Sequence, residues 1–341
     1  MNAKFLQNYW YAAALSAEIA DRPFGRTICG EPIVFFRAAD GALAALEDRC
    51  AHRHAPLSIG CVRDGQIECA YHGLRYDASG ACVHVPGQKS IPPRAHVRRY
   101  PAAERWGWVW VWIGEAGAAD PAKIPDFPWF ESAAWNGFHK YFHVKAAAQL
   151  FVDNLLDLSH VAFTHQHSIG SRMAADVVPV LDLRLEGDGA VGQRRLVDVE
   201  PGPFIAKWGG FTGRIERCST YRWQPPSVIE ITAEFQDAAR KITIMVINPI
   251  TPETDRTSHF WLGWARDFAL GDAAVTEGAI RDNTQVILED VVVIEAQQQR
   301  IDQFPGVPAV PINADQAIVA VHKILDRLFA EQAARRQKAA S

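Results

Sequence analysis

The sequence has no apolar run approaching the eighteen or so residues that a membrane span requires, so a helical membrane anchor is not expected. Its start, MNAKFLQNYWYAAALS, holds one lysine and a seven-residue apolar stretch from Tyr9 to Leu15, a poor match to a secretory leader. The expected compartment is the cytoplasm. Excess charge is also lacking. With 35 Lys and Arg against 39 Asp and Glu the net is −4, too weak a field to gather phosphates, so nucleic acid is not an expected partner. No glycine-rich fingerprint for a nicotinamide or a flavin is present. Repeats and low-complexity tracts are missing too. Cysteine is scarce, six in 341 residues, and in a reducing compartment clustered thiols point to metal rather than to disulfides.

What is present reads as an ordinary globular chain of about two domains, 48% hydrophobic and 22% charged. Short strands are expected around Ile33 and Phe35 and over Ala42–Leu46, divided by the Ala-Asp-Gly turn at 39–41. GQIECAYHGLRYDASGACVHV continues in strand-length pieces broken at Gly65, Gly73 and Gly80. In RWGWVWVWIG the alternation of Trp106, Trp108, Trp110 and Trp112 with Val109, Val111 and Ile113 demands a strand. Gly, Ala and Pro then crowd into 114–130, and the domains are placed at 1–118 and 119–341. Beyond lie a helix over 148–164, strand-like runs over 178–267 and a long helix over 274–301. A closing helix sets Ile318, Val321, Leu325, Leu328 and Phe329 on one face. Strands grouped between helices make the fold α+β with an antiparallel sheet.

The stretch CAHRHAPLSIGCVRDGQIECAYH holds Cys50 and His52, then Cys69 and His72. Two thiols and two imidazoles on paired loops suit zinc or an iron–sulfur cluster. Each loop supplies one of each, as in a Rieske [2Fe–2S] centre, where two Cys hold one iron and two His the other. Zinc fingers more often keep their cysteines together. CAHR at 50–53 with CAYHGLRYD at 69–77 closely resembles the signature of bacterial Rieske non-haem iron oxygenases, and the resemblance runs along most of the chain. Respiratory Rieske proteins carry an extra Cys in each loop, where Ala55 and Tyr71 stand here. Cys29, Cys61, Cys82 and Cys218 have no partner motif and are expected to be buried apolar fillers. His54 is assigned to the loop surface.

A second site is expected in LFVDNLLDLSHVAFTHQH. Asn154, Asp157 and His160 share one face of a helix, and Leu155, Leu156, Leu158 and Phe163 suggest that much of it is buried. His165 lies roughly 140° around from His160 on a regular helix, so both reach one ion only if the helix distorts or ends near Phe163. The family resemblance implies that His160 and His165 are ligands of a mononuclear ferrous ion, completed by a distant carboxylate. TQVILEDVVVIEAQQQR offers adjacent acids. Asp290 has apolar Val286, Ile287, Val293 and Ile294 at helical spacing, whereas Glu289 lies nearer the polar edge, which selects Asp290 and leaves Glu289 as a solvated rim acid. Glu295 sits too near the glutamine run to be preferred. By resemblance Asp157 bridges His160 and a neighbouring subunit's copy of His72, and Asn154 stands near the iron as a weak ligand or water holder.

The resemblance further implies a small all-β Rieske domain followed by a helix-grip, START-like catalytic domain, in a head-to-tail homotrimer. The local run DNLLDLSHVAFTHQHSIGS and the later EAQQQR resemble the branch holding vanillate O-demethylase, dicamba and toluene-sulfonate methyl monooxygenases. That branch implies O2-dependent hydroxylation of a methyl or methoxy group on a small, usually anionic aromatic. Electrons would come from a ferredoxin or an NAD(P)H reductase carrying FMN and its own [2Fe–2S] cluster. Lys89, Arg94, Arg98, Arg99 and Arg105 are candidates to steer an acidic donor. Strands over 204–264 are expected to line the pocket, with Trp208, Trp223, His259, Trp261 and Arg266 as conceivable contacts. Two rivals stay open here: a ring-hydroxylating oxygenase, and a Rieske electron carrier with a ligand-binding domain.

Overall fold

A computed structural model describes residues 4–170 and 180–340. The chain forms two compact units, Met1–Asp126 with Thr251–Thr254, and Phe127–Ile250 with Asp255–Ser341. The predicted strand-like runs begin at 178, and positions 178 and 179 lie outside the described residues.

The first unit is built from three small antiparallel sheets. Strand Glu31–Arg37 pairs with Leu43–Glu47 across the expected turn, where Gly41 adopts φ 81° and its N–H bonds the Ala38 carbonyl. Trp108–Ile113 is buried on both faces. Val109, Val111 and Ile113 join one apolar cluster with Tyr11, Ile33 and Phe35, while Trp112 meets Trp10 edge to face at 5.5 Å on the other side. Trp106 falls outside this strand. It sits in the preceding turn at φ 59°, because Arg105 and Trp108 pair across the hairpin and leave Trp106 and Gly107 as its tip. A second cluster packs Val34, Phe36, Leu46 and Leu57 against Cys50, Cys69, Leu74 and Tyr76.

The second unit carries a seven-stranded sheet in the order Asn136–Val144, Ser258–Arg266, Lys241–Pro252, Val228–Gln236, Ile215–Gln224, Gly189–Val199, Val180–Glu186. The pairings run antiparallel. A 31-residue helix, Ala273–Gln303, buries a stripe of Val275, Ala279, Val286, Ile287, Asp290, Ile294 and Gln298. That spacing of three and four is the amphipathic signature, with one carboxylate set into it. The closing helix, Gln316–Ala340, buries Ala317, Val321, Ile324 and Leu328. Ile318, Leu325 and Phe329 of the expected face lie half-buried at its edge, since the small Ala317 and not Ile318 meets the neighbouring elements.

His322 on this last helix reaches both carboxylate oxygens of Asp153, at 2.9 and 3.1 Å. The bond to Asp153 raises the imidazole above its usual pKa near 6.5. A folded value above the unfolded one adds stability that is complete below pH 6.5 and fades as pH rises through the raised value. The difference in melting temperature between wild type and His322→Gln is therefore expected to shrink from pH 6 to pH 9. Thermal denaturation by circular dichroism at both pH values checks this.

Candidate metal centres and the pocket beside them

The two Cys-His loops share one backbone plan. In the first, Cys50 N–H donates to the Ala55 carbonyl and His54 N–H to the Cys50 carbonyl, at 2.8 and 3.0 Å. In the second, Cys69 N–H donates to Leu74 and Gly73 N–H to Cys69, again at 2.8 and 3.0 Å. The fourth residue after each cysteine takes positive φ, 58° at His54 and 71° at Gly73, which closes the loop. His54 is exposed, as expected for a turn residue.

Both thiols are buried and both imidazoles exposed, with the rings of His52 and His72 4.6 Å apart. Tyr71, 60% exposed, packs on His72 at 3.9 Å. The four side chains do not crowd around one point as ligands of a single zinc ion would. Among the described residues only His160, His165 and Asp290 do that. An inner pair of sulfurs and an outer pair of nitrogens suits a two-iron cluster, one iron facing the core and one facing out. Tyr76 Oη lies 3.2 Å from Cys50 Sγ and accepts Ala51 N–H at 3.1 Å. Held as a thiolate by a cluster, that sulfur would carry no proton of its own, and the phenol would be the donor.

The remaining cysteines divide. Cys29 and Cys82 are buried fillers and Cys218 is half-buried, but Cys61 is exposed. It lies on Cys61–Arg63, the edge strand of its sheet, whose alternate side chains face outward.

In the second unit the expected helix is interrupted earlier than Phe163. Ala148–Leu156 ends at Asp157, a turn of 3₁₀ helix covers Leu158–His160, and Val161–Thr164 follows. Asp157 is extended, and its carboxylate accepts Ser159 N–H at 2.8 Å and Ser159 Oγ–H at 2.9 Å, capping the new turn. Its carbonyl, not its carboxylate, faces His160 Nδ1 at 2.6 Å. The break changes the face that is buried, which is why Phe163 is 58% exposed while Leu155 and Leu156 are covered. The long helix also caps the start of Ala148–Leu156. Glu295 Oε1 accepts Lys145 N–H at 2.8 Å and Gln298 Oε1 accepts Ala147 N–H at 3.0 Å.

This register brings His160 Nε2 and His165 Nε2 to 3.5 and 3.1 Å from Asp290 Oδ1. The three ligand atoms lie within 4.8 Å of one another. Asp290 is 2% exposed beneath Val286, Ile287 and Ile294, although Val293 of the expected apolar set turns outward. Asn154 Nδ2 donates to Asp290 Oδ1 at 3.2 Å. The buried Oδ1 of Asn154 has no hydrogen-bond partner among the described residues.

Glu289 is not a solvated rim acid. Its Oε2 accepts from His165 Nδ1 at 2.8 Å and from Ser168 Oγ at 3.0 Å. The sequence did carry a signal for it: a second acid beside the ligand acid, on a helix that must satisfy a buried imidazole on both sides. Burial pushes the His160 imidazole below its usual pKa, with Asp290 opposing. At His165 burial also acts downward, but Asp290 and Glu289 outweigh it and the net direction is up. With each Nδ1 turned to an oxygen, both Nε2 atoms are left to face Asp290. Two imidazoles, neutral when they bind a metal, and one carboxylate form the donor set of a facial triad, and the buried Asn154 oxygen beside them is an acceptor left open at the site. The residues present therefore fit a mononuclear iron.

A cavity of about 240 Å³ opens from this trio between the sheet and the long helix. Leu155, Leu196, Phe235, Ile244, Trp264 and Ile287 give it an apolar wall. None of the five contacts expected from sequence lines it. Trp223 and Trp261 are fully buried core, and Arg266 is buried with its guanidinium on the Phe268 and Ala269 carbonyls, Asn136 and Thr276. His259 meets Tyr141, and Trp208 Nε1 donates to Asp282.

Comparison with known proteins points to the same two kinds of cofactor. Residues 9–101 match the Rieske [2Fe–2S] domain, and residues 144–331 match the vanillate O-demethylase oxygenase C-terminal domain. The chain belongs to the vanillate O-demethylase oxygenase family. It is 39% identical to a putative toluene-4-sulfonate monooxygenase system iron-sulfur subunit of Comamonas testosteroni, over 95% of this chain and 97% of that one. It is 34% identical to the vanillate O-demethylase oxygenase subunit of a Pseudomonas strain, over 96% of each. The crystal structure of dicamba monooxygenase bound to 3,6-dichlorosalicylic acid superposes with a TM-score of 0.91 at 31% identity, covering 97% and 99% of the two chains. This family member is a Rieske non-haem iron monooxygenase, with a [2Fe–2S] cluster and a mononuclear iron as cofactors. It is the oxygenase component of a multicomponent system and draws electrons from a separate protein. Among the described residues no helix is long and apolar enough to cross a membrane.

Two outcomes follow. Glu289→Gln is expected to weaken iron binding about 10- to 100-fold by loosening His165, as read by chelator competition. Tyr76→Phe removes a hydrogen bond to a sulfur and is expected to make the cluster midpoint potential more negative, as read by spectroelectrochemical titration.

Proposed function

We propose that this protein hydroxylates a methyl or methoxy group on a small, anionic, substituted aromatic ring. The observation that carries this reading is the apolar cavity ending on His160, His165 and Asp290. A ring fits against aliphatic walls and offers its substituent to the one polar end. The curated relatives, which include vanillate and dicamba O-demethylases and toluene-4-sulfonate monooxygenases, support a methyl-bearing aromatic as the substrate class. Hydroxylation of a methoxy carbon gives a hemiacetal, which collapses to a phenol and formaldehyde.

Cys50, His52, Cys69 and His72 hold the cluster in this reading, and His160, His165 and Asp290 hold the iron. When bound, the cluster supplies single electrons and the iron supplies oxygen activation. The chain's own residues do the rest. Asp157 Oδ atoms and carbonyl set the turn that aims His160, and Glu289 orients His165 through Nδ1. Asn154 keeps Asp290 aimed and offers its free oxygen to water. The aliphatic wall excludes bulk water from the reacting carbon.

The domains in this proposal are the Rieske portion, 1–118, and the catalytic portion, 119–341. A head-to-tail homotrimer sets each cluster beside the next subunit's iron, with Asp157 linking His160 to the neighbour's copy of His72. The donor is a ferredoxin or an FMN and [2Fe–2S] reductase, and the compartment is the cytoplasm. Of the basic residues proposed to steer the donor, Lys89, Arg94 and Arg99 are exposed. Arg98 is held by Glu31 at 2.7 Å and by the Gly114 carbonyl and so has structural work, whereas Arg105 meets Asp126 only in an exposed pair at 3.5 Å, which leaves its charge available to a donor.

Supplied with a generic reductase, the purified protein is expected to release formaldehyde from a methoxybenzoate or to form the benzylic alcohol from a methyl arene in a panel of both. Iron analysis should give about three atoms per chain, and Asp290→Ala about two with the visible spectrum of the cluster retained. A ring dihydroxylase would give diols without formaldehyde. An electron carrier would hold about two irons before any mutation.

A further inference from the structure

Strand Ile215–Gln224 turns Ile215, Arg217, Ser219, Tyr221 and Trp223 to one face, and all but Arg217 are buried. Arg217 is a partly covered cation in an apolar column. Its cross-strand neighbours are Leu196 and Phe235, and it lines the cavity that ends on His160, His165 and Asp290. Its partners are few. Nε donates to Ser219 Oγ at 3.4 Å, and the guanidinium carbon lies 5.6 Å from the Phe235 ring centre.

Among the described residues no carboxylate pairs with Arg217. The acids that line the same cavity are otherwise placed: Asp198 holds Arg214 at 2.7 Å, Asp290 faces the two imidazoles, and Glu200 is exposed. The contrast with Arg266, whose donors are all met by carbonyls and side chains, shows what a purely structural buried arginine looks like in this fold. Burial, with Arg194 nearby, pushes the Arg217 pKa down to about 10, so the charge persists at neutral pH. An uncompensated guanidinium on an apolar wall is costly unless acceptor oxygens reach it. Its planar fork matches two oxygens of one anion.

We propose that Arg217, with the Ser219 hydroxyl beside it, binds the anionic substituent of the substrate, a carboxylate or sulfonate on a single aromatic ring, and so selects aryl anions over neutral arenes. This rests on the aromatic-oxygenase reading above and adds the residue that reads the charge. Arg217 touches the substrate away from the carbon that is oxidised.

The test is equilibrium binding to the oxidised holoenzyme, without reductant, followed by tryptophan fluorescence, since Trp264 lines the cavity. The probes are 4-methylbenzenesulfonate, 4-methylbenzoate and the neutral 4-methylbenzamide. Wild type is expected to bind one of the anions at least about ten-fold more tightly than the amide, and the better anion identifies the headgroup. In Arg217→Gln that anion should bind about 30-fold or more weakly, with amide binding within about two-fold of wild type; Arg217→Lys should restore part of the loss. Unchanged amide binding also reports that the variant is folded. Wild type binding neither anion, or binding them no better than the amide, overturns the proposal without any variant. Full anion preference in Arg217→Gln overturns it as well. Turnover measured in parallel with reductant present, as benzylic alcohol from the methyl probes and formaldehyde from a methoxybenzoate, separates the two readings. Turnover with anion preference intact in Arg217→Gln removes only the role of Arg217, whereas no turnover of any aromatic by wild type removes the oxygenase substrate reading.

Discussion

Everything at the catalytic end of this protein turns on one buried carboxylate. Asp290 is almost wholly excluded from water, between aliphatic residues of its own helix, with two imidazole nitrogens and the Asn154 amide directed at it. A carboxylate in such a place is strongly disfavoured alone, and removing its partners would leave an unpaired buried charge worth several kcal/mol, about 3–5. The arrangement is tolerable because the neighbours are donors or ligands that together suit a divalent cation. The rest of the second unit can be understood as the means of holding that geometry. The long helix supplies the acid, the capped break at Asp157 swings both histidines toward it, and Glu295 and Gln298 tie the backbone at the start of Ala148–Leu156, the helix that leads into that break, to the acid-bearing one.

The same economy governs the first unit. Two loops of equal backbone plan present a thiol inward and an imidazole outward, and a phenol from the strand that follows the second loop lies within hydrogen-bond reach of one sulfur. Cysteine burial and histidine exposure keep the sulfurs dry and leave the imidazoles at the surface, an arrangement that suits a cluster reduced by a partner protein. The family assignment and the geometry reach the same chemistry independently.

Where residue patterns misled, the causes are specific. Residue type alone sets Phe163 and Val293 among their apolar neighbours, yet both turn outward, Phe163 because Asp157 restarts the helix. Cys61 was counted as core from its residue type, but its short edge strand leaves it exposed. Of the residues expected at the pocket, His259 and Trp261 alternate with the cavity-lining Leu262 and Trp264 and face away, Trp208 and Arg266 are engaged in their own hydrogen bonds, and Trp223 shares the face of Arg217 but packs in the core beyond the cavity, whereas Arg217 lines it. Period two shows which residues share a face of a strand, but not which face meets the cavity.

The ligand types, their spacing, the alternating strands and the apolar setting of Asp290 were all legible in the chain, because local geometry and the cost of burying charge act within a few residues of sequence. The family resemblance followed from those same short motifs. Tertiary structure alone decided that Glu289 orients His165, that the Asp157 carbonyl rather than its carboxylate meets His160, and that Arg217 faces an apolar cavity without a counter-ion. Those relations join residues tens to more than a hundred positions apart, or depend on which way a turn swings. Their energies come from desolvation and hydrogen-bond direction, quantities that exist only once the chain has closed around them.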